Sequence, residues 1–291
     1  MATAQTAIIP EPSAFGLFIT FTVKDALGLR PILAEIPGLA AKEGVLSLIA
    51  IGPKIWPAIF GPAKPDGLAP FAAVGKAPAT PADLFLHLRS DQHYANFAAA
   101  RAIVAALGGK AEIIEEIHGF RNKEKRDLTG FVDGTENPKG DEVAEVAVLA
   151  QGPFAGGSFV HVQRYVHDLA SWERLSVAQQ EAHIGRSKRD DVEMQVKPKT
   201  AHIARVVIEE NGAELEILRR GLPYGTTSEK GIYFIAYGAS PAPFRKMLKA
   251  MFVPDKDGTY DHLLNFTKPV TGAAFFAPSL EFLAQAPQIS R

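Results

Sequence analysis

A chain of 291 residues without cysteine excludes disulfides, thiolate nucleophiles and Cys-ligated zinc or iron–sulfur centres. Any transition-metal or haem site must therefore draw on eight histidines, carboxylates, Tyr or Met. Apolar residues make up 47%, enough for one large or two ordinary cores, and no uninterrupted run of about 18 apolar residues offers a membrane span. A net charge of −1 with no basic block argues against nucleic acid as a partner.

Residues 1–12 show neither a basic-then-apolar leader nor a twin arginine, so a cytoplasmic protein is expected. Residues 1–15 are polar and Pro-punctuated, an arm lying over a partner or over the body. The run 17–23 (L-F-I-T-F-T-V) is β-branched and aromatic, a strand covered on both faces. Residues 25–41 have helical spacing, with Ala26, Leu29, Leu33 and Ile36 on one side, and 45–51 form a second strand stopped by Gly52-Pro53. A Gly- and Pro-rich loop spans 61–81; an alternating strand at 84–89 and an Ala-rich helix at 91–107 follow.

The densest run is 130–138, G-F-V-D-G-T-E-N-P. Asp-Gly and Asn-Pro are turn formers, so this is a short apolar arm delivering Asp133 to a fixed place. A calcium loop fails there, because Pro138 stands where the sharp-turn glycine belongs and Ala144 where the bidentate Glu belongs. Two readings stay open locally: a turn in which Asp133 ties down its own backbone, and a desolvated carboxylate that moves protons.

Beyond it, 158–164 (S-F-V-H-V-Q-R) alternates and leads to a helix over 168–175, capped by Asp168 or Ser171. Residues 202–208 and 232–237 read as strands and 241–251 as a helix. The strand pairs near 17 and 45 and near 202 and 231 repeat. So do F-L-H-L-R-S-D from Phe85 and F-V-H-V-Q-R-Y from Phe159. This predicts an α+β fold of two ferredoxin-like halves, antiparallel sheets with helices packed on them, over 1–145 and 146–291.

Seven histidines have ordinary explanations. His87 and His161 are strand residues, His167 and His183 adjoin helices, and His93, His118 and His262 lie in polar contexts. His202 differs: it opens H-I-A-R-V-V-I, which turns at E-N-G (210–212) into a second strand ending at Arg219-Arg220. Those arginines either face solvent or are held over a cleft.

The motifs R-D-L-T-G-F-V-D-G-T-E-N-P (126–138), V-Q-R-Y-V-H-D-L (162–169), I-G-R-S-K-R-D-D-V-E (184–193), A-H-I-A-R (201–205), I-L-R-R-G-L-P-Y-G (217–225) and F-T-K-P-V-T-G-A-A-F-F-A-P-S (266–279) occur in this order. With them the chain resembles the dye-decolourising peroxidases, haem enzymes of a dimeric α+β-barrel fold, and is most similar to their cytoplasmic bacterial, class B-like branch. The resemblance implies one haem b per chain, mainly in the C-terminal half, with His202 as axial iron ligand. It implies Asp133 as the distal carboxylate and Arg219 as the distal arginine. Arg186 and Arg205 are implied partners of the haem propionates, and Gly134 and Thr135 join the cofactor-binding set.

Two positions depart from that pattern. Gly221 stands where this branch often has Asn or Ser, and Asn265 where an Asp usually offers itself to the imidazole N–H. The implied function is reduction of hydrogen peroxide through a ferryl intermediate, then one-electron oxidation of dyes, phenols or similar small donors. Larger donors would react at surface Trp172 or Tyr237. A homo-oligomer is implied, with a shell protein as an admissible encapsulating partner. The alternative is a haem-binding or haem-delivery protein with incidental peroxidase activity, and third comes a cofactor-free structural protein.

Overall fold

The computed structural model describes residues 2–288. It begins with β1 (Phe15–Val23), α1 (Ala26–Lys42), β2 (Leu46–Ile51), α2 (Trp56–Phe60), β3 (Leu84–Ser90), α3 (His93–Leu107) and β4 (Ala111–Phe120). The strands hydrogen-bond antiparallel in the order β2-β3-β1-β4. Alternation along β1 sorts its side chains. Leu17, Ile19 and Phe21 pack with Leu29, Leu33 and Ile36 of α1, whereas Phe18 belongs to a separate core on the other face. α1 starts where the Asp25 carboxylate accepts from the Gly28 N–H at 2.9 Å, a side-chain cap for an otherwise orphan donor.

After α4 (Glu142–Ala147) comes β5 (Ser158–His167), the central strand of a second sheet. Then follow α5 (Leu169–Trp172), α6 (Val177–Ile184), α7 (His202–Val206), the small hairpin β6 (Glu209–Glu210) and β7 (Ala213–Glu214), and β8 (Leu218–Arg219). The chain continues through β9 (Leu222–Gly225), β10 (Lys230–Gly238), α8 (Ala242–Phe252), β11 (Thr267–Pro269), β12 (Ala273–Ala277) and α9 (Leu280–Ala284). β5 pairs antiparallel with β10 along one edge and with β11 and β12 along the other; β8 and β9 pair with β10.

Two single-pair seams, Gly119 with Tyr224 and Phe276 with Ile51, close the two sheets into a barrel. At Gly119 a Cβ would stand 2.8 Å from Leu222 Cβ and 3.0 Å from the Phe18 ring, so a side chain would push the seam apart. The barrel interior holds a stack: Phe18 lies 4.3 Å from the Tyr233 ring and 4.7 Å from that of His87. His87 Nδ1 is 2.7 Å from the Tyr237 hydroxyl. The expected α+β architecture, antiparallel sheets with helices packed on them, is therefore what the chain adopts.

The segment expected as a strand at 202–208 is instead the one-turn helix α7, with the Arg205 N–H on the Ala201 carbonyl at 3.2 Å. Its β-branched residues favour a strand, but tertiary context overrides propensity over so few residues. The E-N-G turn does form, between β6 and β7, with Asn211 and Gly212 at φ 55° and 81°. The N-terminal arm lies over its own body. Gln5 exchanges hydrogen bonds with the Ile49 backbone at 2.8 Å, and the buried Arg89 guanidinium donates to the carbonyls of Ala7, Pro10 and Glu11. Among the described residues, no helix is long and apolar enough to cross a membrane.

Candidate active site

The outer face of the second sheet, roofed by α7 and α8, carries a cavity of about 1450 Å³ counting its open mouth. Its walls are largely apolar, with Phe234 and Ile232 from β10, Phe244, Met247 and Leu248 from α8, and Ile203 from α7. Strand alternation explains the sheet wall: Ile232 and Phe234 face out, while Tyr233 and Ile235 fill the barrel. Asp133, Gly134, Thr135, Arg186, His202 and Arg219 all line this cavity, from segments far apart in sequence. Arg205 does not. Its guanidinium donates to the Ala250 carbonyl at 2.8 Å and to Asp255 at 3.2 Å, tying α7 to the end of α8.

His202 opens α7 with its Nδ1 2.6 Å from Asp261 Oδ2. Asp261 is fully buried, and its other oxygen accepts from the Leu263 N–H at 2.9 Å. A carboxylate at this distance favours the tautomer with its proton on Nδ1, which in a neutral imidazole leaves the lone pair on Nε2. Nε2 has no hydrogen-bond partner among the described residues. The partner expected for this imidazole, Asn265, is not there; it is exposed and accepts from the Tyr260 hydroxyl at 2.9 Å. The reason is local: D-H-L-L-N winds as a tight 3₁₀ turn capped by Asp261, which sends Asp261 inward and Asn265 outward.

The Asp133 arm is a hairpin. The Asp127 N–H donates to Phe131 O at 2.8 Å and the Asp133 N–H to Lys125 O at 3.0 Å. Phe131 is buried edge-on against Trp172. Asn137 then clasps β8 at two points, Nδ2 on Arg219 O at 3.0 Å and Oδ1 on the Arg219 N–H at 2.9 Å. Gly134, at φ 82°, lets the chain turn between them; a Cβ there would be strained and 3.1 Å from Asn137 Nδ2. Thr135 donates to Asp191 at 2.5 Å. Arg186 in turn holds Asp191 Oδ1 at 2.8 Å and Glu136 at 2.5 Å.

Burial pushes the Asp133 carboxyl above its ordinary range, and the Asp127 carboxylate adds to this; the Arg219 charge and the Gly134 N–H oppose without prevailing. The Arg219 guanidinium makes no hydrogen bond or salt bridge among the described residues, so it acts on Asp133 through charge alone. For Asp127 burial also works upward, but His167 at 3.2 Å and two bonds from Thr129 outweigh it, and its pKa falls. At Gly221 a Cβ would lie 2.7 Å from the Tyr233 carbonyl oxygen, so the β10 backbone leaves no room there for a side chain without a shift.

Four features of the site escape sequence reasoning. They are Asp261 and Asn137, the Asp127–His167–Thr267 chain (His167 Nδ1 to Thr267 Oγ1, 2.7 Å), and the cavity-lining Gln163, whose Oε1 accepts from the Tyr165 hydroxyl at 3.0 Å while its buried Nε2 has no partner among the described residues. Asn137 had one signal, its place in the turn run, and His167 another, its place at a strand end. Trp172 and Tyr237, expected as surface oxidation sites, are both buried. The Asp168-capped turn of α5 points Trp172 inward, its Nε1 donating to Thr129 O at 2.9 Å, and alternation along β10 puts Tyr237 inside the barrel.

Comparison with known proteins agrees over nearly the whole chain. Family models described as Dyp-type peroxidase, N-terminal and C-terminal, match residues 5–121 and 124–282. A dye-decolorizing peroxidase of Rhodococcus erythropolis is 40% identical over 96% of this chain and 89% of its own. A variant of DypB from Rhodococcus jostii RHA1, solved in complex with haem, superposes with a TM-score of 0.93 at 35% identity, covering 98% of this chain and 99% of that one. The encapsulated DyP-type peroxidase from Mycobacterium smegmatis gives 0.94 at 37% identity, covering 99% of each. This chain belongs to the Dyp-type peroxidase family.

Proposed function

We propose that the protein is a haem peroxidase that reduces hydrogen peroxide and oxidises dyes, phenols or similar one-electron donors. The observation that carries this reading is the His202–Asp261 pair, which sets an Nε2 without a partner among the described residues in the same cavity as the Asp133 carboxylate and the Arg219 guanidinium. The donor set suits one haem b. A neutral imidazole is a usual iron ligand, and the largely apolar walls suit an apolar macrocycle. Bound haem would supply the iron redox chemistry that takes two electrons to peroxide and returns them singly from donors.

The chain's own residues do the rest. His202 would hold the iron, with Asp261 setting its tautomer and orientation. Asp133 takes a proton from one peroxide oxygen and gives it to the oxygen that leaves as water, while Arg219 holds the negative charge developing between them. Gly134 and Thr135 shape the turn that sets Asp133. Arg186 lines the cavity as the candidate propionate partner, and Arg205 acts by holding α7. The cofactor would be held mainly by residues of the 146–291 half, with Asp133 supplied by 1–145. A cytoplasmic homo-oligomer is the expected form, and the encapsulated relative makes a shell protein the partner to test.

The deciding measurement is an absorption spectrum before and after one equivalent of peroxide. A Soret band that shifts within seconds is expected; a band that only bleaches slowly would favour a haem carrier. A second test concerns Asp261. Its carboxylate makes the imidazole more electron-rich and favours Fe(III), so Asp261→Asn is expected to raise the Fe(III)/Fe(II) potential in a spectroelectrochemical titration. An unchanged potential would mean that the 2.6 Å contact does not tune the ligand.

A further inference from the structure

Two histidines that the cavity does not use meet on the first sheet. His118 Nδ1 stands 3.2 Å from His93 Nε2, with the ring centroids 5.2 Å apart. Among the described residues no other two histidines bring their ring nitrogens within hydrogen-bond distance of each other. The far nitrogen of His118, Nε2, lies 2.8 Å from Glu116 Oε1. All three residues are exposed, and none lines the cavity.

Sheet register explains the meeting. Side chains alternate along β4, so Glu116 and His118 share one face. His118 pairs with Leu17 of β1 and Glu116 with Ile19, and directly paired residues point the same way. Leu17 and Ile19 pack with Ala95, Ala99 and Ile103 of α3, whereas Ile117 turns to the other face and packs in the barrel. α3 therefore lies over the face that carries His118, and its first residue is His93. The His93 ring stands edge-on to Phe15 of β1, 5.7 Å away at 81°.

The arrangement is that of a two-histidine ligand set. A carboxylate accepts, so Glu116 favours the His118 tautomer with its proton on Nε2 and its lone pair on Nδ1, facing His93. An N–H···N bond between the two rings is long at 3.2 Å, and two exposed nitrogens could bond to water instead. A dication held by two imidazoles at about 2.0–2.1 Å each sets their nitrogens about 2.9–3.4 Å apart, for angles from square to tetrahedral. The observed separation falls inside that window. A carboxylate on the far nitrogen is what orients a metal-bound histidine and raises its basicity. No third His, Asp or Glu joins the pair as a direct ligand among the described residues, which leaves the other positions to water.

We propose that His93 and His118 form a surface site for a divalent late first-row transition metal such as Zn²⁺ or Cu²⁺, with Glu116 orienting His118. Imidazole suits copper, nickel and zinc, whereas magnesium, calcium and manganese prefer oxygen ligands. The usual order of affinities places Cu²⁺ above Zn²⁺. Bound metal would pin the start of α3 to β4, one residue before the Gly119–Tyr224 seam. The site shares no residue with the cavity, so it stands or falls independently of the haem-peroxidase reading.

The test titrates the full-length protein as purified, by calorimetry, with zinc chloride and separately with copper chloride in a buffer that does not bind metal. The wild-type protein is expected to bind one equivalent at this site, copper more tightly than zinc, with no competition from excess Mg²⁺. His93→Gln and His118→Gln should each lose that binding. Glu116→Gln should weaken it by about 10–100-fold, the usual loss when an outer partner of a metal ligand is removed. All three side chains are exposed, so the variants should fold, and an unchanged circular dichroism spectrum checks this. Copper K-edge X-ray absorption of the one-equivalent complex, to which iron does not contribute, should show two imidazoles. Saturating Zn²⁺ should raise the thermal midpoint of the wild-type protein and not that of His93→Gln. No binding by the wild-type protein, equal affinity or an equal thermal shift in either histidine variant, or a complex with fewer than two imidazoles overturns the proposal. Undiminished affinity in Glu116→Gln overturns the role given to Glu116.

Discussion

His202→Ala is expected to yield a folded protein that no longer retains haem. His202 stands at the first position of a one-turn helix with its side chain 31% exposed, so little packing is lost with it. The fold cost comes from Asp261, which loses its imidazole partner but keeps the Leu263 N–H; an under-satisfied buried acceptor costs about 1–3 kcal/mol, more if charged. Haem binding should suffer far more. Removing a partner one shell out from a metal typically costs about 10–100-fold in affinity, and the ligand itself should cost more than that. The control is His161→Ala. His161 is buried, stacked 4.1 Å from Phe244, and held neutral by burial and the Arg245 charge, its pKa down to about 3. Its loss should lower thermal stability and leave the haem-to-protein ratio intact. A normal Soret band in the His202 variant, with loss in the His161 variant, would reverse the ligand assignment.

Arg219→Leu should slow the reaction with peroxide more than Asp133→Ala, with haem bound in both. Removing a general base costs roughly 10²–10⁴-fold and removing a fixed charge about 10²–10³-fold, so magnitude alone does not rank them. The structure adds a coupling. Burial raises the Asp133 pKa and Arg219 is the largest influence holding it down. Loss of Arg219 therefore removes the fixed charge and also leaves a smaller fraction of Asp133 ionised, and so able to accept a proton, at pH values near its pKa. The Asn137 clasp is to the Arg219 backbone and survives the substitution, so the arm keeps its place. Residue 221, two positions on, is glycine against the β10 backbone and offers no side chain in its place.

The sign with pH follows. Asp133 must be ionised to accept a proton, so the wild-type rate should fall as pH drops through a value above the ordinary carboxylate pKa. In Arg219→Leu the folded-state pKa rises further, and that acid limb should move to higher pH. Stopped-flow mixing with peroxide across pH reads both effects. A slower Asp133 variant, or an acid limb that stays put, would contradict this division of labour.

Local sequence carried the long elements because each has enough residues to show a period. The strands near 17–23, 45–51 and 84–89 and the helices near 25–41, 91–107 and 241–251 correspond to β1, β2, β3, α1, α3 and α8. β4 went unread, since A-E-I-I-E-E-I-H-G-F has no clean alternation and the strand is largely exposed. α7 was misread for a related reason: five residues hold little more than one helical period, and Ile and Val tilt the reading towards a strand.

By itself, then, the sequence determined the fold class, the turn that presents Asp133, the exclusion of thiolate ligands, and the motifs that single out His202 and Arg219. Only the tertiary structure decided that Asp261, not Asn265, holds His202, and that Arg205 is spent on Asp255. It alone showed Asn137 fastening the Asp133 arm to Arg219, and Trp172 and Tyr237 facing inward. The physical reason is one of range. Periodicity and turn chemistry are properties of neighbouring residues and can be read along the chain. A hydrogen bond between residues 59 or 82 positions apart depends on the path between them, as does the burial of a ring by a distant strand, and no local pattern encodes that path.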